Sequence, residues 1–254
     1  MPLRVKVLAT AGVLAWLAAT ATTAYVGALL GPALGALLAG ASILTALYAL
    51  FVYHPKFDPT TLTRWRGPSA GGRIALTFDD GPGPDTEKVL DVLKERGVAA
   101  TFFCLGENAM RHPGLVARAK AEGHAVGNHG LTHTKLHRVS GGTIEKEVLG
   151  GERSLGGVAQ IGGKKIIRVP HGFKSFTLVR MLDRLGYTLV AWTRGVWDSD
   201  RPGADVIAAR ARAARPRGAT DPDASCSFTM ATAPGPTPTA RRPRTPSRRS
   251  SIIV

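Results

Sequence analysis

Asp, Glu, Lys and Arg are all absent from residues 7–53 of this 254-residue chain. At about 1.5 Å per helical residue, that uncharged run reaches roughly 70 Å, enough to cross a ~30 Å hydrocarbon core twice. A signal peptide, with its shorter apolar core and small-residue cleavage site, is the rival, and the length of the run makes it read as a membrane anchor. Gly31-Pro32 near its middle divides it into expected spans at 7–30 and 33–53. Cysteine is scarce too: Cys104 and Cys226 make no disulfide framework, and Cys104 within "TFFCLG" reads as a small buried apolar residue. The chain also lacks a Lys/Arg stripe interleaved with aromatics. Its net charge of +15 therefore does not point to nucleic acid and fits a solvated surface near anionic lipid or polymer. Removing residues 217–254, which hold six Arg and two Asp, still leaves +11.

Past the anchor (residues 1–55), the Pro-, Gly- and Thr-rich stretch 56–72 reads as a linker. An alternation then begins at residue 73. "RIALTF" is a short apolar strand bounded by turn residues, and "DTEKVLDVLKERG" has helical spacing closed by Gly97. "AATFFCLG", "HAVGN", "KKIIRV" and "YTLVAWT" are further strands, separated by helical stretches, and "PGADVIAARARAAR" is the last helix. Strand–helix repetition argues for a parallel α/β sheet, either barrel or doubly wound. Chemistry is then expected on the loops that leave the strand ends.

The first strand ends in "TFDDGPGP". Asp79 and Asp80 are adjacent carboxylates whose joint ionisation a bound cation would ease; a solvated Asp-Gly-Pro turn is the alternative. The third strand ends in "GNHGLTHTKL", where His129 and His133 stand four apart. That spacing can aim two imidazoles at one ion, although alone it also fits two unrelated loop histidines. One Asp with two His is the composition of a hydrolytic divalent-metal site with an open position for water. "IRVPHGF" ends the next strand. There Arg168 can pair with a carboxylate of the first motif, and Pro170-His171-Gly172 forms a turn whose amides can face a substrate oxygen. "AWTRGVWDSDRPG" then offers Trp192, Trp197 and Asp198, or simply an aromatic core contact before a helix start.

Taken in order, TFDDGP, H-x-x-x-H, R-x-P-x-G and W…D resemble the polysaccharide deacetylases, the NodB-homology carbohydrate esterases, over residues 73–202. The resemblance implies a distorted (β/α) barrel. It also implies that Asp80, His129 and His133 bind a divalent metal, zinc or similar. Asp79 becomes the general base and Arg168 holds its charge. The turn at Pro170, His171 and Gly172 and the Trp192 indole face substrate, with an amide near His171 at the oxyanion, and Asp198 supports a catalytic His. Gly130 stands where the family usually has Ser or Thr, and His171 where Tyr is frequent. The implied substrate is N-acetylated polysaccharide outside the cytoplasm. That sets an extracytoplasmic domain against the positive-inside rule, because Arg4, Lys6, Lys56, Arg64 and Arg66 flank the hairpin.

Family members end in a strand reading Leu-Leu-His-Asp, whose His protonates the leaving amine. Here the chain reads "SCSFTMATAPG", and residues 221–254 carry no apolar periodicity. The Ala, Gly, Arg and Pro content suggests a G+C-rich gene. Residues 221–232, read from the third base of their first codon, then give Pro-Gly-Arg-Gln-Leu-Leu-Leu-His-Asp-Gly-Asp. The single Met codon and two Phe codons leave the His-Asp-Gly part little freedom. The expectation is a domain over 73–217 that lacks its last strand and helix, a frame break between Ala214 and Asp221, and an out-of-frame, disordered tail over 218–254. Activity is expected to be impaired. The alternatives are a genuine Arg/Pro/Thr tail and a membrane-anchored glycan binder without catalysis.

Overall fold

The structure is a computed structural model that describes residues 3–54, 57–65, 75–198, 201–213 and, as backbone, 225–229. It has two compact units, Met1–Phe57 and Asp58–Val254. In the first, α1 (Leu3–Leu30) and α2 (Pro32–Tyr53) are joined by Gly31 alone. Gly31 takes φ 117°, open only to glycine, and Pro32 opens α2 where its missing N–H costs nothing. A Cβ on Gly27 would stand 2.3 Å from Gly35 Cα, so the two backbones touch. Thr20 Oγ1 and Ser42 Oγ bond across the pair at 3.1 Å. Small residues at the contact and a hydroxyl pair across it are what membrane helices use where apolar attraction is weak. Both helices are long and apolar enough to cross a membrane.

The second unit is a parallel sheet wrapped by helices. After β1 (Thr63–Arg64) come β2 (Ala75–Gly81), α3 (Thr86–Glu95), β3 (Thr101–Cys104), α4 (Gly106–Arg111), α5 (Pro113–Ala121) and β4 (Ala125–Asn128). Then follow α6 (Gly141–Ser154), β5 (Gln160–Ile161), β6 (Lys164–Ile167), α7 (Phe176–Arg184), β7 (Tyr187–Val190), β8 (Arg194–Gly195), α8 (Ala204–Ala213) and β9 (Ser225–Thr229). The strand order is β1-β7-β6-β4-β3-β2-β9-β8, with β5 antiparallel on β6. Five strands from β2 to β7 are neighbours in chain order, and their C-terminal ends share one rim. This is the expected (β/α) barrel arrangement.

Each helix follows from its apolar spacing. α3 buries Val89, Leu90 and Leu93 while Lys88, Asp91 and Lys94 face outward. Full burial of such side chains contributes about 1.5–3 kcal/mol each. Gly97 takes φ 60° and Val98 N–H returns to the Leu93 carbonyl at 2.9 Å, closing the helix as its Gly predicted. The core has two parts. One gathers Phe78, Leu90, Phe102 and Val126; the other gathers Ile144, Val148, Ile167, Leu178 and Tyr187. Cys104 lies in the first, and burial, followed by the charge of Asp79, pushes its thiol up to about 12. It is an inert core residue, as expected.

The short elements α4, β5 and β8 have no counterpart in the sequence reading, and two further elements change its bounds. β1 lies inside the stretch read as linker and pairs in parallel with β7. Its preceding turn is tied by Asp58, whose carboxylate accepts from Thr60 N at 2.9 Å and Thr63 N at 2.7 Å. The second departure corrects the expected loss of the last strand. β9 pairs with β2 from Ala75↔Ser225 to Asp79↔Thr229 and with β8 on its other side. An open strand edge is satisfied by any backbone that can ladder onto it, whatever its side chains. The strand is therefore present, although its sequence lacks the expected His. The proposed frame-break window, the rest of the tail and any helix after β9 lie outside the described residues.

Candidate active site

The rim holds the predicted residues, and a backbone irregularity sorts them. The register between β2 and β3 shifts between Asp79 and Gly81, so Asp80 has no partner opposite it and takes φ 66°. This bulge re-aims its side chain. Asn108 Nδ2 donates to the Asp80 carbonyl at 2.7 Å and holds the irregular turn from α4. The two adjacent carboxylates consequently have separate partners. Their crowding, expected from sequence, is resolved by geometry.

Asp79 points into the sheet and is 2% exposed. Its Oδ1 accepts from Arg168 Nη1 at 2.7 Å and its Oδ2 from Trp192 Nε1 at 2.9 Å. Arg168 is equally buried, and the same Nη1 also donates to Thr77 Oγ1 at 2.8 Å. The guanidinium lies over the Phe103 ring at 4.2 Å and the Trp192 ring at 5.3 Å. Burial lowers its pKa and the Asp79 charge pulls it back, so it stays a cation. The predicted Arg–carboxylate pair is there, and its partner is Asp79.

Asp80 meets the two histidines. Nε2 of His129 and Nε2 of His133 each lie 3.1 Å from its Oδ1, and the ligand atoms all lie within 4.8 Å of one another. Among the described residues this is the one group of three or more such side chains able to hold a metal ion. The donor set fits a cation. His129 Nδ1 is 2.6 Å from the Arg168 carbonyl, which can only accept, so Nδ1 carries the proton and Nε2 of the neutral ring holds a lone pair. Asp80 Oδ1 is buried and accepts no hydrogen bond. Acceptor facing acceptor at that distance calls for a positive charge between them.

His171 takes φ 62°, and its ring lies 4.7 Å from that of His133. On its far side it stacks on Phe173 at 6.1 Å with planes 11° apart. Burial first, then His133 and Lys135, push its imidazole down to about 4, so it is neutral near pH 7. Pro170 is the buried residue of the turn. Gly172 has φ 71°, and a Cβ there would fall 2.1 Å from Trp192 Cζ3. The glycine lets the indole lie on the turn and reach Asp79. Gly172→Ala should therefore destabilise the fold by about 1–3 kcal/mol and displace Trp192. A lowered unfolding midpoint together with a changed tryptophan emission spectrum would show it.

Asp198 belongs to the segment after β8, where its carbonyl accepts from Arg201 N at 2.8 Å. It is not in the three-ligand group, and the His it was expected to support is absent from β9. Sequence reasoning missed Thr77, Asn108 and Glu147. Glu147 had a signal: it is a carboxylate in the buried stripe of α6, between Ile144 and Val148. Gly130, noted as a departure from Ser or Thr, takes φ 87°, which favours glycine.

The family profile for polysaccharide deacetylase matches residues 66–190. A chitooligosaccharide deacetylase of Bradyrhizobium sp. (strain ANU 289) is 37% identical over 172 residues, which are 67% of this chain and 75% of that protein. One from Sinorhizobium fredii is 38% identical over 53% of this chain and 63% of its own length. A peptidoglycan-N-acetylglucosamine deacetylase of Bacillus cereus is 37% identical over 56% and 51%. The chain thus spans about half to three quarters of the length of these three relatives. Among solved structures, a peptidoglycan N-acetylglucosamine deacetylase bound to an N-hydroxybenzamide superposes with a TM-score of 0.60 at 29% identity, covering 69% of this chain and 82% of that one. Motifs, fold and relatives agree, and this chain belongs to the polysaccharide deacetylase family.

Proposed function

We propose that the chain is built to remove N-acetyl groups hydrolytically from a polysaccharide containing N-acetylglucosamine. A divalent cation, zinc by the chemistry of its donors, would be held by Asp80, His129 and His133. The observation that carries this reading is the meeting of three metal-ligand atoms beside a second carboxylate fixed by Arg168 and Trp192. When bound, such an ion activates water and polarises the amide carbonyl.

The other roles fall to the protein. Asp79 retains lone pairs beyond its two hydrogen bonds and takes a proton from the attacking water. Arg168 keeps that carboxylate ionised and aimed. The His171 backbone N–H faces the oxygen that gains charge as the amide carbon becomes tetrahedral. The carbon–nitrogen bond then breaks, acetate departs, and the amine requires a proton. In the sequence as it stands, β9 offers no His to give it, so this chain is impaired and a frame-restored chain is active. The missing acid also favours a second reading, a glycan binder without catalysis; turnover by the restored chain separates the two.

The helical hairpin would anchor the domain at the cell membrane, with the domain extracytoplasmic where such glycans lie. A topology reporter fused after residue 70 tests that side. For the chemistry, the test is acetate release from N-acetylglucosamine oligomers by the frame-restored chain. Chelator should abolish release and added zinc should return it; release that is indifferent to chelator would refute the metal role.

A further inference from the structure

The two histidine ligands are held in different ways. His129 ends a strand, is 2% exposed, and its second nitrogen is tied to the Arg168 carbonyl. His133 lies in the following loop with φ 63° and a side chain 34% exposed. Among the described residues its ring meets only Asp80 and the rings of His129 and His171, with nothing anchoring Nδ1. Its position must therefore come from the backbone beneath it.

That backbone is gripped by one side chain. Glu147 Oε2 accepts from both Leu131 N and Thr132 N at 3.0 Å. Its Oε1 accepts from Thr132 Oγ1 at 2.7 Å and, more distantly, from Thr134 Oγ1 at 3.5 Å. The loop's carbonyls are taken from the other side, where Gly106 N donates to Gly130 O at 2.9 Å and Glu107 N to Leu131 O at 3.0 Å. Glu147 is 7% exposed between fully buried Ile144 and Val148. No Lys or Arg pairs with it among the described residues. A buried carboxylate is costly unless hydrogen-bonded. This one is satisfied wholly by the segment that carries His133, through charge-assisted bonds of the stronger kind.

We propose that Glu147 is a positioning residue for the metal site, fixing the loop conformation that brings His133 Nε2 to the point shared with His129 and Asp80. The inference rests on the metal-site reading above but does not require turnover. A purely structural role would lower stability and leave metal affinity alone; a positioning role weakens the metal.

The test uses the full chain in detergent, titrated with Co²⁺ by its visible absorption and with Zn²⁺ against a competing chelator. Glu147→Ala should weaken metal binding about 10–100-fold, as losses of groups that orient metal ligands do, and alter the Co²⁺ band. Glu147→Asp, which keeps the charge but withdraws it by one methylene, should weaken binding in the same sense. Glu147→Gln keeps a carbonyl oxygen for the two amides, and Thr132 Oγ1 can turn to accept from its NH₂, so it should recover most of the loss. Val89→Ala, a core truncation in α3, should lower the unfolding midpoint without changing affinity or spectrum. Wild-type affinity and spectrum in Glu147→Ala, or in Glu147→Asp should the alanine variant not fold, would overturn the proposal while leaving the metal site standing. A wild-type chain that binds neither ion would overturn both.

Discussion

A chain in which residues 222–232 read Pro-Gly-Arg-Gln-Leu-Leu-Leu-His-Asp-Gly-Asp is expected to deacetylate N-acetylglucosamine oligomers ~10²–10⁴ faster than the chain as it stands, the range a positioned general acid contributes. The backbone gives this expectation its footing. Thr229 is paired in register with Asp79, so whatever residue occupies that position stands at the rim beside the expected base. The alternative reading of the same nucleotides puts His in place of Thr229 and Asp in place of Met230. It also replaces Cys226, Ser227 and Phe228 by three leucines, a run suited to a strand flanked on both sides by β2 and β8. The single change Thr229→His should recover part of the gain, since it restores the acid without the apolar strand around it. The readout is acetate release with zinc supplied. Equal rates for the original and restored chains would refute the assignment of the missing acid to β9. Sequencing the codons for residues 214–221 in independent isolates tests the frame break itself.

Arg168→Met should cost about 3–5 kcal/mol of stability, the range for breaking one half of a buried ion pair. The guanidinium is the cation that faces Asp79, and both groups are 2% exposed, so its removal leaves a buried carboxylate uncompensated. The packing of Arg168 on Phe103 and Trp192 is lost at the same time. The double variant Asp79→Leu with Arg168→Met should regain much of that stability, because a well-packed apolar pair of similar volume often does as well as an ion pair. It should not regain turnover in the frame-restored background, where Asp79→Leu alone already removes the proposed base. Denaturant midpoints for the two single variants and the double variant complete the cycle. A near-zero effect of Arg168→Met on the midpoint would show that the pair is not what holds this rim together.

The sequence was informative where local spacing decides the outcome. β3, β4, β6 and β7 fall within the stretches read as strands, and β2 starts in its stretch and runs three residues past it to Gly81, because short apolar runs bounded by turn residues bury on a sheet whatever their neighbours. The H-x-x-x-H pair and the aspartates were legible only together, since each alone also fits a solvated turn or unrelated loop histidines. What escaped depends on partners distant in the chain. Ser225–Thr229 has no apolar run, and its place beside β2 comes from backbone pairing. Thr63–Arg64 is too short for periodicity and joins the sheet only through β7. Nothing in "TFDDGP" announces a bulge at Asp80, so the sequence suggested two crowded charges where the fold separates them. Glu147 was readable in principle as a misplaced charge in an apolar stripe, but its task appears only when the loop folds back over α6.

The bulge at Asp80 has a further consequence for how this rim tolerates change. Two neighbouring residues of one chemical type have been addressed to different partners, one to a guanidinium and an indole and one to two imidazoles, with a single peptide unit as the switch between them. Their spacing along the chain is therefore not adjustable. One residue deleted before Asp79 would carry the proposed ligand into the guanidinium sandwich, and one inserted there would carry the proposed base toward the imidazoles. The side chains themselves can be varied one at a time, because each answers to its own set of partners.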